Sequence, residues 1–140
     1  MKPRLNIVTL GVKDLNESKK FYSEALNWQP AGPGDDNIVF YNQLGIILAL
    51  YPTEKLAEDA GLPAERNGFS GVTLAINLDS INAVDNLVAK VKTAGGKILI
   101  QPRETFWGGY DAYFADPDGH SWEIAWAPFW EYDEQGSLKL

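Results

Sequence analysis

Two short runs near the end of the chain contain the residues best suited to chemistry. The first is Phe106-Trp107-Gly108-Gly109-Tyr110, and the second, from Asp116 to Glu123, is Asp-Pro-Asp-Gly-His-Ser-Trp-Glu. Proline and glycine within the second run favour a tight turn, so the run predicts a hairpin with a strand over residues 122–126. Glu123 is the only ionisable side chain of that strand. Such a carboxylate is either a base or ligand in a cavity, or a group on a solvated face.

Side-chain alternation along this strand predicts the face of the sheet on which Glu123 lies. If Trp122 and Ile124 pack beneath helices, Glu123 points to the opposite face. We therefore predict that Glu123 faces a cavity and is the catalytic candidate, with Arg103 or Lys97 as its ionic partner.

Three aromatic residues near Glu123 in sequence are predicted to contact a ligand. Trp107 and Tyr110 flank two glycines, which permit a close approach of the backbone. The pair favours either an aromatic lid over a ligand or an apolar plug that anchors the loop on the sheet. Tyr113 is expected to project its hydroxyl group into the cavity as a donor.

His120 is the only histidine of the chain. An imidazole is a common metal ligand and general base, but its position directly after Asp-Gly predicts a turn residue at the surface. A nucleophilic arrangement with Ser121 is disfavoured because adjacent residues on a strand point to opposite faces.

The elements that must position these residues repeat along the chain. Apolar periodicity and capping residues predict a strand at 5–12, a helix at 14–26, strands at 38–41 and 45–51, then a strand at 72–78, a helix at 80–94, and strands at 97–101, 111–115 and 122–126. This order is β-α-β-β(-β) twice, and Asp14 at the first strand-helix junction corresponds to Asp79 at the second. We predict an α+β fold in which two tandem modules meet edge to edge. Their curved mixed sheet surrounds a cavity, and the helices lie outside.

The length of 140 residues predicts a single domain over residues 1–140. Module one covers residues 4–52, a connector covers 53–70 with one short helix around 54–60, and module two covers 71–128. The tail, 129–140, is expected to be a loosely held extension.

Charge and composition limit the partners. The net charge of −7 argues against nucleic acid and against anionic membrane surfaces. The absence of cysteine excludes disulfides, a thiolate nucleophile and thiolate metal ligands. Without a recognisable signal peptide or an apolar run of about 20 residues, we expect a cytoplasmic protein.

The chain resembles the vicinal oxygen chelate superfamily, which includes glyoxalase I, bleomycin-resistance proteins and extradiol dioxygenases. The opening IVTLGVKDLNESKKFYSEAL is similar to that family's first strand, Asp-Leu junction and helix, and FADPDGHSWEIAW is similar to its last hairpin. The FWGGY run followed by this hairpin resembles a glyoxalase-like subgroup. The resemblance covers residues 4–128 and implies the duplicated fold described above.

Four metal-ligand positions of this superfamily carry over to the chain as what the resemblance implies. They fall at Ile7, at Leu48 or Ala49, within Gly71–Thr73, and at Glu123. Only Glu123 is a normal ligand, whereas divalent metals need several histidine or carboxylate ligands. We therefore expect no metal cofactor, and we predict that Ile7, Phe40 and Leu48 line an apolar ligand site.

Three functions remain open, of which the third is an accessory or stress-linked domain whose function is its dimer surface at Phe129 and Trp130. The first is metal-free binding of a small aromatic or cationic compound, favoured by the aromatic content and the negative net charge. The alternative is a lyase, isomerase or dioxygenase that uses Glu123 as a base or as a residual metal ligand.

An aromatic cluster follows the last strand: Trp126, Phe129, Trp130 and Tyr132. Such a cluster either folds back onto the domain or forms a subunit contact. Because the similar families are commonly dimers, we expect a homodimer.

Overall fold

A computed structural model describes residues 4–139. Its elements are β1 (Ile7–Val12), α1 (Leu15–Leu26), β2 (Val39–Gln43), β3 (Ile46–Pro52), α2 (Thr53–Ala60), β4 (Leu74–Asn77), α3 (Ile81–Thr93), β5 (Lys97–Glu104), β6 (Tyr110–Ala115), β7 (Ser121–Trp126), β8 (Glu131–Tyr132) and β9 (Leu138–Lys139). The predicted α+β class is confirmed, and so is the short helix in the connector. No helix within residues 4–139 has the length and apolar character needed to cross a membrane.

The strands form two larger sheets and one small hairpin. The first sheet has the order β1-β3-β2 and the second β4-β7-β6-β5, while β8 pairs with β9. In each larger sheet the first strand is parallel to the last strand of its module, β1 to β3 and β4 to β7. Val8 on β1 and Leu74 on β4 border the same two cavities, so these edge strands face each other. The predicted mixed sheet thus consists of two sheets, one from each module, whose edges meet at β1 and β4.

The two modules repeat in detail. Helix α1 begins at Leu15 in module one, and α3 begins at Ile81 in module two. Each helix has a side-chain N-cap: the carboxylate of Asp14 accepts from an N–H in the first turn of α1, and the hydroxyl of Ser80 does so in α3. Asp14 therefore corresponds to Ser80, which corrects the predicted correspondence with Asp79. Module two has one strand more than module one after its first helix.

One hydrophobic core lies beneath both helices. It combines apolar residues of α1 and α3 with alternate residues of both sheets: Leu10, Val12, Phe21, Tyr22, Ala25, Val39, Tyr41, Leu48, Leu50, Val84, Val88, Val91, Ala112, Phe114, Trp122 and Ile124. Because α1 and α3 pack against each other, both helices cover the same side of the two sheets. The other side, which we call the open face, carries the intervening residues, among them Glu123 between Trp122 and Ile124.

The turn between β6 and β7, residues 116–120, fastens module two to the start of α1. The Asp118 carboxylate accepts from the backbone N–H of Lys13 at 2.7 Å and from the Ser18 hydroxyl at 2.8 Å. Carboxylates near a helix N-terminus are stabilised by its unpaired N–H groups. The Asp-Pro-Asp-Gly-His run therefore joins two parts of the fold that are far apart in sequence.

A buried hydrogen-bond chain lies beside this contact. The Tyr22 hydroxyl donates to Asp116 Oδ2 at 2.7 Å and accepts from Trp122 Nε1 at 3.1 Å. The other Asp116 oxygen accepts from the backbone N–H groups of Asp118 and His120. Burial raises the pKa of Asp116, while the hydrogen bond from Tyr22 opposes that rise.

The C-terminal tail is more ordered than its composition predicts. Strands β8 and β9 form a hairpin in which the Asp133 carboxylate accepts from the N–H groups of Gln135 and Ser137. The Tyr132 hydroxyl donates to the Leu78 carbonyl at 3.3 Å, which ties the hairpin to module two. Within the predicted extension, residues 131–139 therefore form a hairpin that contacts module two.

Replacing Tyr22 with phenylalanine should destabilise the protein by about 1–3 kcal/mol, because two buried polar groups lose their partner. Chemical denaturation of Tyr22→Phe measures this loss. Tyr41→Phe is the matched control: Tyr41 is also fully buried, but its hydroxyl contacts Ser23 and, at 3.5 Å, the Lys19 carbonyl, both within module one. Equal losses in the two variants would contradict the assigned role of the Tyr22 hydroxyl.

The loss caused by Tyr22→Phe should also depend on pH. The Tyr22 hydrogen bond lowers the pKa of Asp116, so its stabilisation is present when Asp116 is ionised and disappears as the pH falls through the folded-state pKa of that carboxyl. Burial holds this pKa above the ordinary 3.8. The difference in unfolding free energy between the wild type and Tyr22→Phe should therefore shrink as the pH falls through the raised pKa of Asp116.

Candidate functional site

Glu123 and Tyr113 form a hydrogen-bonded pair on the open face of the second sheet. The two residues lie directly opposite each other on β7 and β6, and the Tyr113 hydroxyl donates to Glu123 Oε1 at 2.9 Å. Burial and the neighbouring carboxylate raise the pKa of Tyr113 to about 12. The phenol is therefore a neutral donor near pH 7. On the β4 side the neighbour of Glu123 is Ala75, whose side chain leaves the carboxylate accessible.

The predicted ionic partners of Glu123 lie elsewhere. Arg103 Nε contacts Asp111 Oδ1 at 3.2 Å, so its charge is matched by a different carboxylate. Lys97 is paired in register with Ala115, near the other end of β6 from Arg103. Among residues 4–139, no ion pair includes Glu123. Glu123 is thus a half-buried carboxylate that accepts a hydrogen bond from a neutral phenol.

Ile7 and Phe40 come together on the open face of module one. Both border an apolar cavity of about 390 Å³ that is completed by Ile47 and Pro33. This apolar surface lies at a distinct place in the first sheet, separate from the Tyr113–Glu123 pair. Neither of those two residues borders this cavity.

Leu48 faces the helix side of the first sheet and is 4% exposed. It borders a different cavity of about 380 Å³ between the two sheets, next to Trp28 and Trp122. The neighbouring residue Ala49 lies on the open face instead. Ala49 pairs with Thr9 as Glu123 pairs with Ala75, which makes Ala49 the module-one counterpart of Glu123.

Trp107 packs against the segment that follows β7. Its ring stacks on Trp130 at a centroid distance of 5.6 Å and meets Phe129 edge-on at 6.4 Å. A Cβ atom on Gly109 would overlap the Trp107 ring, so glycine is required there. These contacts favour the apolar plug over the aromatic lid for Trp107.

Tyr110 points to the helix side of the second sheet. Its hydroxyl donates to Asp85 on α3 at 3.0 Å. Because side chains alternate along β6, Tyr110 lies on the face opposite to Tyr113. The structure therefore does not bring Tyr110 to the Tyr113–Glu123 pair.

Of the C-terminal aromatic residues, Trp126 packs against the core, while Phe129 stays 60% exposed.

A third cavity, of about 390 Å³, involves a residue that the sequence placed only in a turn. His120 does sit in the turn, with its backbone N–H bonded to Asp116. Its ring, however, borders the cavity formed by β1, α2, the end of the connector and the start of β4, and Nε2 lies 2.7 Å from the Gly11 carbonyl oxygen. Arg66 lines the same cavity and contacts the ring. In the sequence, only the apolar stripe of Leu56, Ala57 and Ala60 in α2 indicated that this helix packs over a cavity, and that signal is weak.

A family model for the Glyoxalase/Bleomycin resistance protein/Dioxygenase superfamily matches residues 4–124. The chain belongs to this superfamily. A glyoxalase-related enzyme from Fulvimarina pelagi is 36% identical, with a TM-score of 0.90 over 98% of this chain and 97% of that one. A hypothetical protein from S. aureus is 26% identical, with a TM-score of 0.80 over 91% and 95% of the two chains. No curated protein matches.

A superfamily enzyme from Burkholderia phytofirmans shares the fold at 21% identity, with a TM-score of 0.81 over 89% of this chain and 99% of that one. The predicted superfamily is thus confirmed, whereas the FWGGY subgroup stays a prediction.

The residues at the superfamily's metal-ligand positions do not fit a divalent metal in this chain. The offset between the starts of α1 and α3 relates Ile7 to Thr73, and strand pairing relates Ala49 to Glu123. Only Glu123 supplies a normal ligand. Residues 4–139 contain no group of three or more histidine or carboxylate side chains that could hold a metal ion. A single carboxylate cannot replace the converging ligands that such metals require.

Proposed function

We propose that the protein binds a small organic cation with an aromatic ring on its open face, without a metal. The observation that carries this proposal is the Glu123 carboxylate, which has Tyr113 as its hydrogen-bond donor and no cationic partner among the described ion pairs. A half-buried carboxylate of this kind is stabilised when a ligand supplies the missing positive charge.

The surroundings of Glu123 support the same class of ligand. Tyr113 uses one carboxylate oxygen, so the second oxygen is available to a ligand. The exposed residue Ala75 leaves space beside Glu123 on the open face, and the Tyr113 ring offers an aromatic surface for a cation. The net charge of −7 raises the local concentration of cations around the whole protein.

Glu123→Gln should weaken binding of an aromatic cation about tenfold, since the ionic contribution is lost while shape is kept. Benzyltrimethylammonium, berberine and ethidium are suitable probes, and calorimetric or fluorescence titration gives their dissociation constants. Benzyl alcohol, a neutral aromatic compound, should show no such difference between the variant and the wild type.

Glu58→Gln makes the same change of charge on the exposed surface of α2 and is the matched control. It should leave the dissociation constants within about twofold, because exposed charges are screened by salt. If both variants weaken binding equally, only the net charge matters and the Glu123 site is disproved.

A second candidate function is proton-transfer catalysis, as in a lyase or isomerase. Its support is the 2.9 Å contact between the Tyr113 hydroxyl and Glu123. In this arrangement the carboxylate would take a proton from a substrate carbon, and the phenol, with its pKa raised to about 12, would remain a neutral donor beside the developing charge. The set of residues favours these classes over a dioxygenase that depends on a bound metal.

Protein purified without chelators should contain far less than one Zn, Ni, Mn or Fe per chain, because a lone carboxylate binds such ions weakly. Inductively coupled plasma mass spectrometry measures the content. Stoichiometric metal that falls in Glu123→Gln would contradict both metal-independent proposals.

We also propose a homodimer with exposed aromatic residues at its contact. Phe106 is fully exposed, and Phe129 is 60% exposed beside the Trp107 stack. The double variant Phe106→Ser/Phe129→Ser should lower the sedimentation coefficient towards that of a monomer, because apolar contact area is lost. Leu99→Ser, which removes another exposed apolar side chain, is the control. An unchanged coefficient in the double variant would disprove this contact.

A further inference from the structure

The cavity that Arg66 and His120 line has a polar end, at which Arg66 is exposed to solvent. His120 Nε2 lies 2.7 Å from the Gly11 carbonyl oxygen, and a carbonyl can only accept, so Nε2 carries the hydrogen. In the neutral ring Nδ1 is then an acceptor, and Arg66 Nη1 lies 3.3 Å from it. The same Arg66 nitrogen is also 3.3 Å from Nε2, so the guanidinium group is placed against the ring rather than against one nitrogen alone.

Arg66 has no carboxylate partner among the ion pairs of residues 4–139. A guanidinium group has five N–H donors in a planar fork, and the contact with His120 uses one of its nitrogens. The remaining donors suit a planar anion that accepts two hydrogen bonds at once. Although the net charge of the chain is −7, the Arg66 side chain places a positive charge at this cavity, beside His120.

The rest of the cavity is largely apolar. Helix α2 and the connector supply one wall, and β1 and β4 supply the other; the apolar lining includes Leu56, Ala57, Ala60, Leu62, Pro63 and Leu74. The volume of about 390 Å³ lies within the range of small-molecule sites. A ligand for this cavity therefore combines one anionic group with a hydrocarbon body.

We propose that this cavity binds a monocarboxylate with an apolar body of about six to twelve carbon atoms, a size set by the general range of such sites. The carboxylate pairs with the Arg66 guanidinium, which His120 positions, and the hydrocarbon body lies along α2. This site is separate from the proposed cation site, because Glu123 and Tyr113 do not border the cavity.

Octanoate is the probe, titrated into the intact protein by isothermal calorimetry. Binding should saturate at one equivalent per chain, and octanamide, which has the same shape without the charge, should bind at least about tenfold more weakly. Arg66→Gln should lower the octanoate affinity about tenfold and leave the octanamide affinity unchanged. Arg4→Gln removes the same charge from a residue that does not border the cavity and should have no effect.

A second variant tests the apolar wall. Ala60→Phe, at an exposed position of α2 on the cavity border, should abolish octanoate binding by filling the space, while benzyltrimethylammonium binding stays unchanged. Glu123→Gln should leave octanoate binding intact, so a failure of the cation site would not affect this result. Equal affinities for octanoate and octanamide, non-saturable binding, or full binding by Arg66→Gln would overturn the proposal.

Discussion

The buried hydroxyl of Tyr22 is the contact on which the rest of the structure depends. It belongs to α1 of module one, and both of its partners, Asp116 and Trp122, belong to module two. The edge strands of the two described larger sheets, β1 and β4, are not hydrogen-bonded to each other. The relative position of the modules is therefore set by side chains beneath the helices and by the turn that Asp118 fastens to α1. The two cavities that lie between β1 and β4 depend on the same contacts, because a buried polar group tolerates little displacement from its partners.

This constraint also orients the candidate site. Trp122 is held in the core by Tyr22 and stacks on Phe114 at a centroid distance of 6.2 Å. Because side chains alternate along a strand, fixing Trp122 inside places Glu123 on the open face. A slip of one residue would bury the carboxylate and expose the indole, at a cost of several kcal/mol. The direction of Glu123 therefore comes from packing on the far side of the strand and does not require a bound ligand.

Local patterns predicted the elements and the direction of Glu123, because helical periodicity, N-caps and strand alternation are all encoded within a few residues. Contacts between distant segments could not be predicted. The partner of Tyr110, Asp85, lies 25 residues away, and the Gly11 carbonyl that orients His120 is 109 residues from it. Leu48 was ambiguous because a shift of one residue in alignment exchanges the two faces of a strand. The two-residue strands of the tail are too short to produce a periodic pattern.

The duplication explains why the open face has two chemically different halves. Strand pairing relates Ala49 to Glu123 and Ile47 to Ser121, so module one carries hydrocarbon where module two carries polar groups. A metal site shared by both modules needs ligands from each, and only module two supplies one. What remains is an apolar cavity at Ile7 and Phe40 in the first sheet and the Tyr113–Glu123 pair in the second. The two halves of the open face therefore differ in chemistry and do not form one set of ligands that converge on a single ion.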